Sequence, residues 1–141
     1  MAARFNEASI SGMRELRAAF KRLPDVTRDR LNDIATEPTA REVVRNARAR
    51  IQSSPSIQTR ALLNGVDLSM SRANGRAKVG IRADSPARKR AHFVEFGTEK
   101  MSAEPFMIPS AEGERAPYLQ RCRAAGRAIE RDMSTIGGRF L

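Results

Sequence analysis

Through the first third of the chain, apolar residues recur every three or four positions. Ile10, Met13, Leu16, Phe20 and Leu23 form one stripe opposite Arg14, Arg17 and Lys21, which predicts an amphipathic helix from Ser9 to Leu23. Ser9 or Ser11 is suited to cap its start. Leu23-Pro24-Asp25 ends it, because the residue before a proline avoids the helical region, and Asp25 then caps a second helix carrying Val26, Leu31, Ile34 and Ala35. Thr36-Glu37-Pro38 reads in two ways: a kink within one long helix, or the cap of a new one with proline in its first turn. Val43, Val44, Ala47 and Ile51 carry the helical period to about Gln52, and Ser53-Ser54-Pro55-Ser56 is a loop signal.

The period then changes from three-and-a-half to two. Val66, Leu68 and Met70 alternate with Asp67, Ser69 and Ser71, an Asn74-Gly75 turn follows, and Val79 and Ile81 alternate on the return, which predicts a β-hairpin. Asp84-Ser85-Pro86 and the basic Arg88-Lys89-Arg90 read as an exposed loop. Ala91 to Phe96 reads as a third strand or a short helix, because Phe93, Val94 and Phe96 fit neither period cleanly. Phe106-Met107-Ile108, bracketed by Pro105 and Pro109, is expected to be an extended strap. A last helix follows Pro109, with Gly113 and Pro117 delaying its start and Leu119, Cys122, Ala125, Ile129 and Met133 on one face. A flexible tail is expected from about residue 135. The order predicts one domain over residues 1–141 of α+β class: N-terminal helices and a C-terminal helix packed on a small antiparallel sheet built around the hairpin.

Composition narrows the chemistry. The chain has 141 residues, 40% hydrophobic and 30% charged, which fits one domain with a modest core. It has one cysteine, Cys122, and one histidine, His92, so an intrachain disulfide, a cysteine metal cluster and a multi-histidine metal site are all excluded. No apolar run approaches the roughly 20 residues that span a bilayer, and the N-terminus lacks the apolar core of a secretory signal, so synthesis and folding are expected in the cytoplasm. The net charge of +10 suits either a solvated basic surface or contact with DNA or an acidic protein.

The candidate sites lie in Ala91 to Glu112, AHFVEFGTEKMSAEPFMIPSAE. His92 and Glu95 would share a helical face as an acid–base pair, but no nucleophile motif accompanies them. Gly97 marks a turn that needs glycine; followed by Thr98 and Glu99, it does not form a phosphate cradle. Met101, Phe106, Met107 and Ile108 suit a core strap and a subunit interface equally well. Cys122 sits on an apolar helix face as a small hydrophobe, and no cofactor is expected.

Glu95-Phe96-Gly97-Thr98, Lys100-Met101, Ala103, Pro105-Phe106, Pro109 and Glu112 together resemble the signature of a family of small tailed-bacteriophage virion proteins. These are the tail-component, tail-completion and head–tail connector (neck) proteins similar to the lambda minor tail protein Z group. The pattern departs at Ser110, where the family usually has alanine, and at Arg60, where it has glycine within a P-x-x-TG-x-L segment that Pro55 to Leu62 otherwise resembles. Val79-Gly80-Ile81 resembles the family's V-G-V strand. The resemblance implies a non-enzymatic homo-oligomer, a sixfold ring at the head–tail junction of a phage, prophage or gene transfer agent particle. Such a ring joins the connector and head-closure proteins to the tail terminator or tail tube around the DNA channel. On this reading the ring contact falls on Phe96, Gly97, Thr98, Met101, Pro105, Phe106, Met107 and Pro109, while Arg88, Lys89 and Arg90 meet DNA or an acidic partner. The competing reading is a basic nucleic-acid-binding protein acting outside a virion.

Overall fold

A computed structural model describes residues 24–55 and 59–137. The helix expected from Ser9 to Leu23 lies outside the described residues. Residues 24–31 (α1) are helical, so Pro24 and Asp25 lie within the helix rather than ahead of it. The helix widens into a π-turn at Asn32–Thr36, closed by the Glu37 N–H donating to the Asn32 carbonyl, and continues without a break as α2, Glu37–Ser53. Pro38 accounts for the wide turn. It has no N–H to return to Ile34, and its ring would press on that carbonyl in a regular α-helix. The Thr36-Glu37-Pro38 ambiguity therefore resolves as an expanded turn inside one long helix.

Ala40, Val43, Val44, Ala47 and Ile51 bury one face of α2. Thr59 then caps a short helix missed in the sequence, α3 (Arg60–Gly65), by accepting the Leu62 N–H at 3.2 Å. β1 (Val66–Ser71) and β2 (Arg76–Ile81) pair antiparallel with Val66 opposite Ile81, Leu68 opposite Val79 and Met70 opposite Ala77, the register that the alternation predicts. The turn is longer than a two-residue Asn-Gly turn. Arg72–Asn74 forms a 3₁₀ turn and only Gly75 is left-handed (φ 62°), giving a four-residue loop between Ser71 and Arg76. The buried Asn32 side chain holds this loop by donating to the Arg72 carbonyl at 2.9 Å.

The sheet has two strands. Residues 91–96, which fitted a third strand, are helical: α4 spans Arg88–Phe96, and its first turn is the basic run expected as a loop. Ser85 starts it, its hydroxyl accepting the Ala87 N–H. Ala87, Ala91, Val94 and Glu95 are buried at helical spacing, and this decides the period that the sequence left open. The expected extended strap after Pro105 is also helical, forming α5 (Met107–Gly113), which precedes α6 (Arg115–Gly137). Residues 135–137, expected in the tail, belong to α6; the rest of that tail lies outside the described residues.

The core is shared by α2 (Val44, Ala47, Ile51), α3 (Leu62), β1 (Val66), α4 with Ala87 (Ala91, Val94) and Phe106. Leu68, Val79, Ile81 and Met107 pack around it. The arrangement is α+β, with helices flanking a hairpin. α6 crosses the π-turn through its small residues: Ala125 and Ala128 are buried, as is Ala35 opposite. Leu119 and Met133, expected on the buried face of α6, are exposed. The α6 face turned inward is instead set by Cys122, Ala125, Ala128 and Ile129, because the close crossing selects alanines over longer side chains.

Candidate functional site

Glu95 organises the Ala91–Glu112 segment. It sits on the buried side of α4 with its carboxylate aimed at the start of α5. One oxygen accepts the N–H groups of Phe106 (2.9 Å) and Met107 (3.0 Å), and the other accepts that of Ile108 (2.8 Å). A helix leaves its first four N–H groups without internal partners. Here three are bound by one carboxylate, and the fourth position is Pro109, which has no N–H. The negative charge also faces the positive end of the helix dipole. Pro109 thus fits within the helix's first turn rather than stopping it.

Between the carboxylate and the helix it caps, the chain makes one tight excursion. Gly97 adopts φ 75°, ψ 176°, a region open in practice only to glycine, and a Cβ there would lie 2.9 Å from both the Ala103 nitrogen and the Met101 carbonyl oxygen. Thr98 and Met101 bridge each other, with the Thr98 N–H donating at 2.8 Å and the Met101 N–H donating back at 3.2 Å. The Glu104 N–H then returns to the Val94 carbonyl at 2.8 Å, and the Glu104 side chain bonds Ser54 beyond the end of α2. Phe106, 2% exposed, is the largest fully buried side chain among the described residues and pins the segment to the core.

The residues expected at a ring interface therefore divide. Phe106 is core of this chain, Met107 packs against that core, and Gly97 and Pro109 shape the backbone. Phe96 (62% exposed), Thr98, Met101 and Pro105 face outward. Beside Phe96, the His92 ring lies 4.9 Å away centroid to centroid, and Phe93 lies 6.1 Å from His92. These three rings form an exposed aromatic ledge on the face of α4 opposite Ala91 and Val94. Phe93 was not singled out in the sequence; its i, i+3 relation to Phe96 becomes meaningful only once the segment is known to be helical. Arg88, Lys89 and Arg90 are exposed at the other end of the same helix.

His92 and Glu95 do not pair. Both Glu95 oxygens are occupied by backbone donors, and His92 stacks on phenylalanine. No group of His, Cys, Asp or Glu suited to a metal occurs among the described residues. No described helix is long and apolar enough to cross a membrane. The clearest electrostatic cluster is structural: Arg72, on the hairpin loop, bonds Asp33 and lies 2.9 Å from Glu37, which also accepts from Arg41 at 2.7 Å. Hydrogen bonding to Asp33, then its charge, raises the Arg72 pKa, and the bond from Arg41 holds the Glu37 carboxyl below the usual range despite opposing desolvation.

A family model described as "Bacteriophage HK97-gp10, putative tail-component" matches residues 14–97, more than half of the chain. The match ends at Gly97, so the turn and α5 lie beyond it, while Glu95, which caps α5, lies within it. No curated protein and no solved structure matches the chain.

Proposed function

The chain belongs to the HK97-gp10-like family of bacteriophage tail components, and from that premise we propose that its copies form a closed ring at the head–tail junction. The ring, sixfold in this reading, joins the head connector and head-closure proteins to the tail terminator or tail tube around the DNA channel. Its place is the virion or a phage-like particle such as a gene transfer agent, and its role is structural. The observation that carries the ring reading is the aromatic ledge of His92, Phe93 and Phe96. Large apolar side chains held outward on a helix whose other face is packed on the core are the anchors that protein interfaces use. In a ring, one face of each subunit meets a different face of the next. The ledge, with Thr98, Met101 and Pro105 at its margin, supplies one of those faces. The buried Phe106 and Met107, with Gly97 and Pro109, set its shape. Arg88, Lys89 and Arg90 reach toward DNA or acidic side chains of the adjoining ring.

The test is a Phe93→Asp, Phe96→Asp double variant. Both residues are exposed, so the folded subunit should keep its stability to within about 0.5 kcal/mol each. Rings should disappear by size exclusion and negative-stain microscopy, and particles carrying the variant should give DNA-filled heads beside complete, unattached tails. Normal rings with the variant would refute the ledge as interface. Abnormally long tails would assign the protein to tail termination instead. Tight, strongly salt-dependent DNA binding by the isolated subunit would favour the free nucleic-acid-binding reading.

A further inference from the structure

The two edges of the hairpin are treated differently. The Arg82 N–H donates to the Gly65 carbonyl at 2.9 Å, which makes that pair, and by alternation Asp67/Gly80, Ser69/Lys78 and Ser71/Arg76, the hydrogen-bonded pairs of the ladder. The backbone groups of Val66, Leu68 and Met70 on β1, and of Ala77, Val79 and Ile81 on β2, therefore point away from the partner strand. On β1 the Val66 end is covered: the Val66 N–H donates to the Leu62 carbonyl, Arg48 Nη2 donates to the Val66 carbonyl at 2.7 Å, and the Leu68 N–H donates to Asp67 Oδ1 at 2.8 Å, which leaves the Leu68 carbonyl and the Met70 groups without a partner among the described residues. On β2 the outward groups of Ala77, Val79 and Ile81 have no partner among the described residues.

Beside that open edge runs a groove of about 780 Å³. Ala40 and Val43 of α2 form its floor, and Met107, Ala111 and Tyr118 form the wall across from β2. This is the place a third strand of the sheet would occupy, and the segment that fitted that strand in sequence is α4 instead. The rim is basic. Arg76, Lys78 and Arg115 have no ion-pair partner among the described residues, whereas Glu114 is held by Arg121 at 3.0 Å, leaving Glu112 as the opposing charge.

We propose that β2 is completed by one extended, net-acidic peptide arm from a different protein. The arm would pair its backbone with Ala77, Val79 and Ile81 and place every second, apolar side chain into the groove. An unpaired strand edge is a template for pairing with another strand, and the neighbouring groove supplies side-chain selectivity. The charge of the rim selects the source. Arg76, Lys78 and Arg115 against Glu112 alone attract an arm that is net acidic.

The probe is a synthetic heptapeptide, Glu-Val-Thr-Val-Thr-Val-Glu with blocked ends, titrated into the full-length protein by NMR. Saturable binding is expected, with slowed amide exchange at Ala77, Val79 and Ile81. Replacing both glutamates of the peptide by lysine should weaken binding at least about tenfold, since like charges then meet at the rim. Ala77→Pro removes an outward N–H while leaving the ladder bonds to β1 intact, so it should keep the fold and weaken binding at least about tenfold; Ala77→Thr should bind normally. Wild-type protein offered the peptide with N-methylated valines should bind none, a control independent of any variant. Absence of binding at millimolar peptide overturns the proposal, as does binding indifferent to Ala77→Pro and N-methylation. Concentration-dependent protection of the same amides without peptide would assign the groove to a second copy and equally overturn it.

Discussion

Removing the Glu95 carboxylate tests the cap at the centre of the segment. In Glu95→Ala, the N–H groups of Phe106, Met107 and Ile108 lose their acceptor. Exposed caps contribute about 0.5–2 kcal/mol, and each hydrogen bond to a charged group contributes roughly 1.5–3 kcal/mol. Water can replace the acceptor for Ile108, which is exposed, but less readily for Phe106, which is buried. We therefore expect a loss of about 3 kcal/mol, a large share of the roughly 5–15 kcal/mol available to a domain. Glu95→Gln keeps one acceptor oxygen, but its amide hydrogens must face either the Ile108 donor or the Phe106 and Met107 donors. We expect a loss of about 1–2 kcal/mol, between wild type and alanine. Urea unfolding followed by circular dichroism reads both. With a slope near 1.5 kcal/mol per molar, 3 kcal/mol moves the midpoint by about 2 M. Amide exchange should show the first turn of α5 opening before the rest of the core. Two variants within about 0.3 kcal/mol of wild type would refute the reasoning, because a carboxylate that binds three helix-end N–H groups, one of them buried, cannot be thermodynamically silent.

Three further outcomes follow from the same geometry. Gly97→Ala should destabilise by roughly 1–3 kcal/mol from backbone strain alone, more as the new Cβ meets Ala103 and Met101, and a thermal melt unchanged within error would contradict the assigned turn. Asn32→Ala should cost about 1–3 kcal/mol by leaving the Arg72 carbonyl without its donor, with exchange in the hairpin loop, rather than in α4, rising most. Glu37 should titrate below an ordinary glutamate in a carboxyl-resolved NMR titration, and Arg41→Ala should raise its midpoint more than Arg72→Ala; the reverse order would refute the assigned cause. Since its folded pKa is lowered, this carboxylate stabilises the protein above its unfolded pKa, and that contribution fades as pH falls through the folded value.

Much of the fold was legible because it is periodic. The stripe of Val43, Val44, Ala47 and Ile51 is a local property of an α-helix, and the alternation of Val66, Leu68 and Met70 with Val79 and Ile81 carries its own register. The same reasoning stalled at Ala91 to Phe96, where six residues hold too few turns to separate two periods. It misread Pro105 to Pro109, where proline within the first turn of a helix looks like proline ending a strand. Leu119 and Met133 were misplaced because hydrophobicity ranks them above alanine, whereas a close helix crossing prefers Ala125 and Ala128.

By itself, then, the chain determined its class, its hairpin, the lack of a second cysteine for an intrachain disulfide and the family resemblance in Glu95-Phe96-Gly97-Thr98, because each is written in neighbouring residues or in bare counts. Tertiary structure alone decided what that signature does. Glu95 finds its donors 11 to 13 residues away, Gly97 is required by the close approach of Ala103 and Met101, and Phe96 faces outward while Phe106 faces in. None of these relations has a fixed sequence spacing. They exist only once α4, the Thr98–Met101 turn and α5 have been brought together, so the division of one motif into a buried clamp and an exposed ledge is a property of the folded chain.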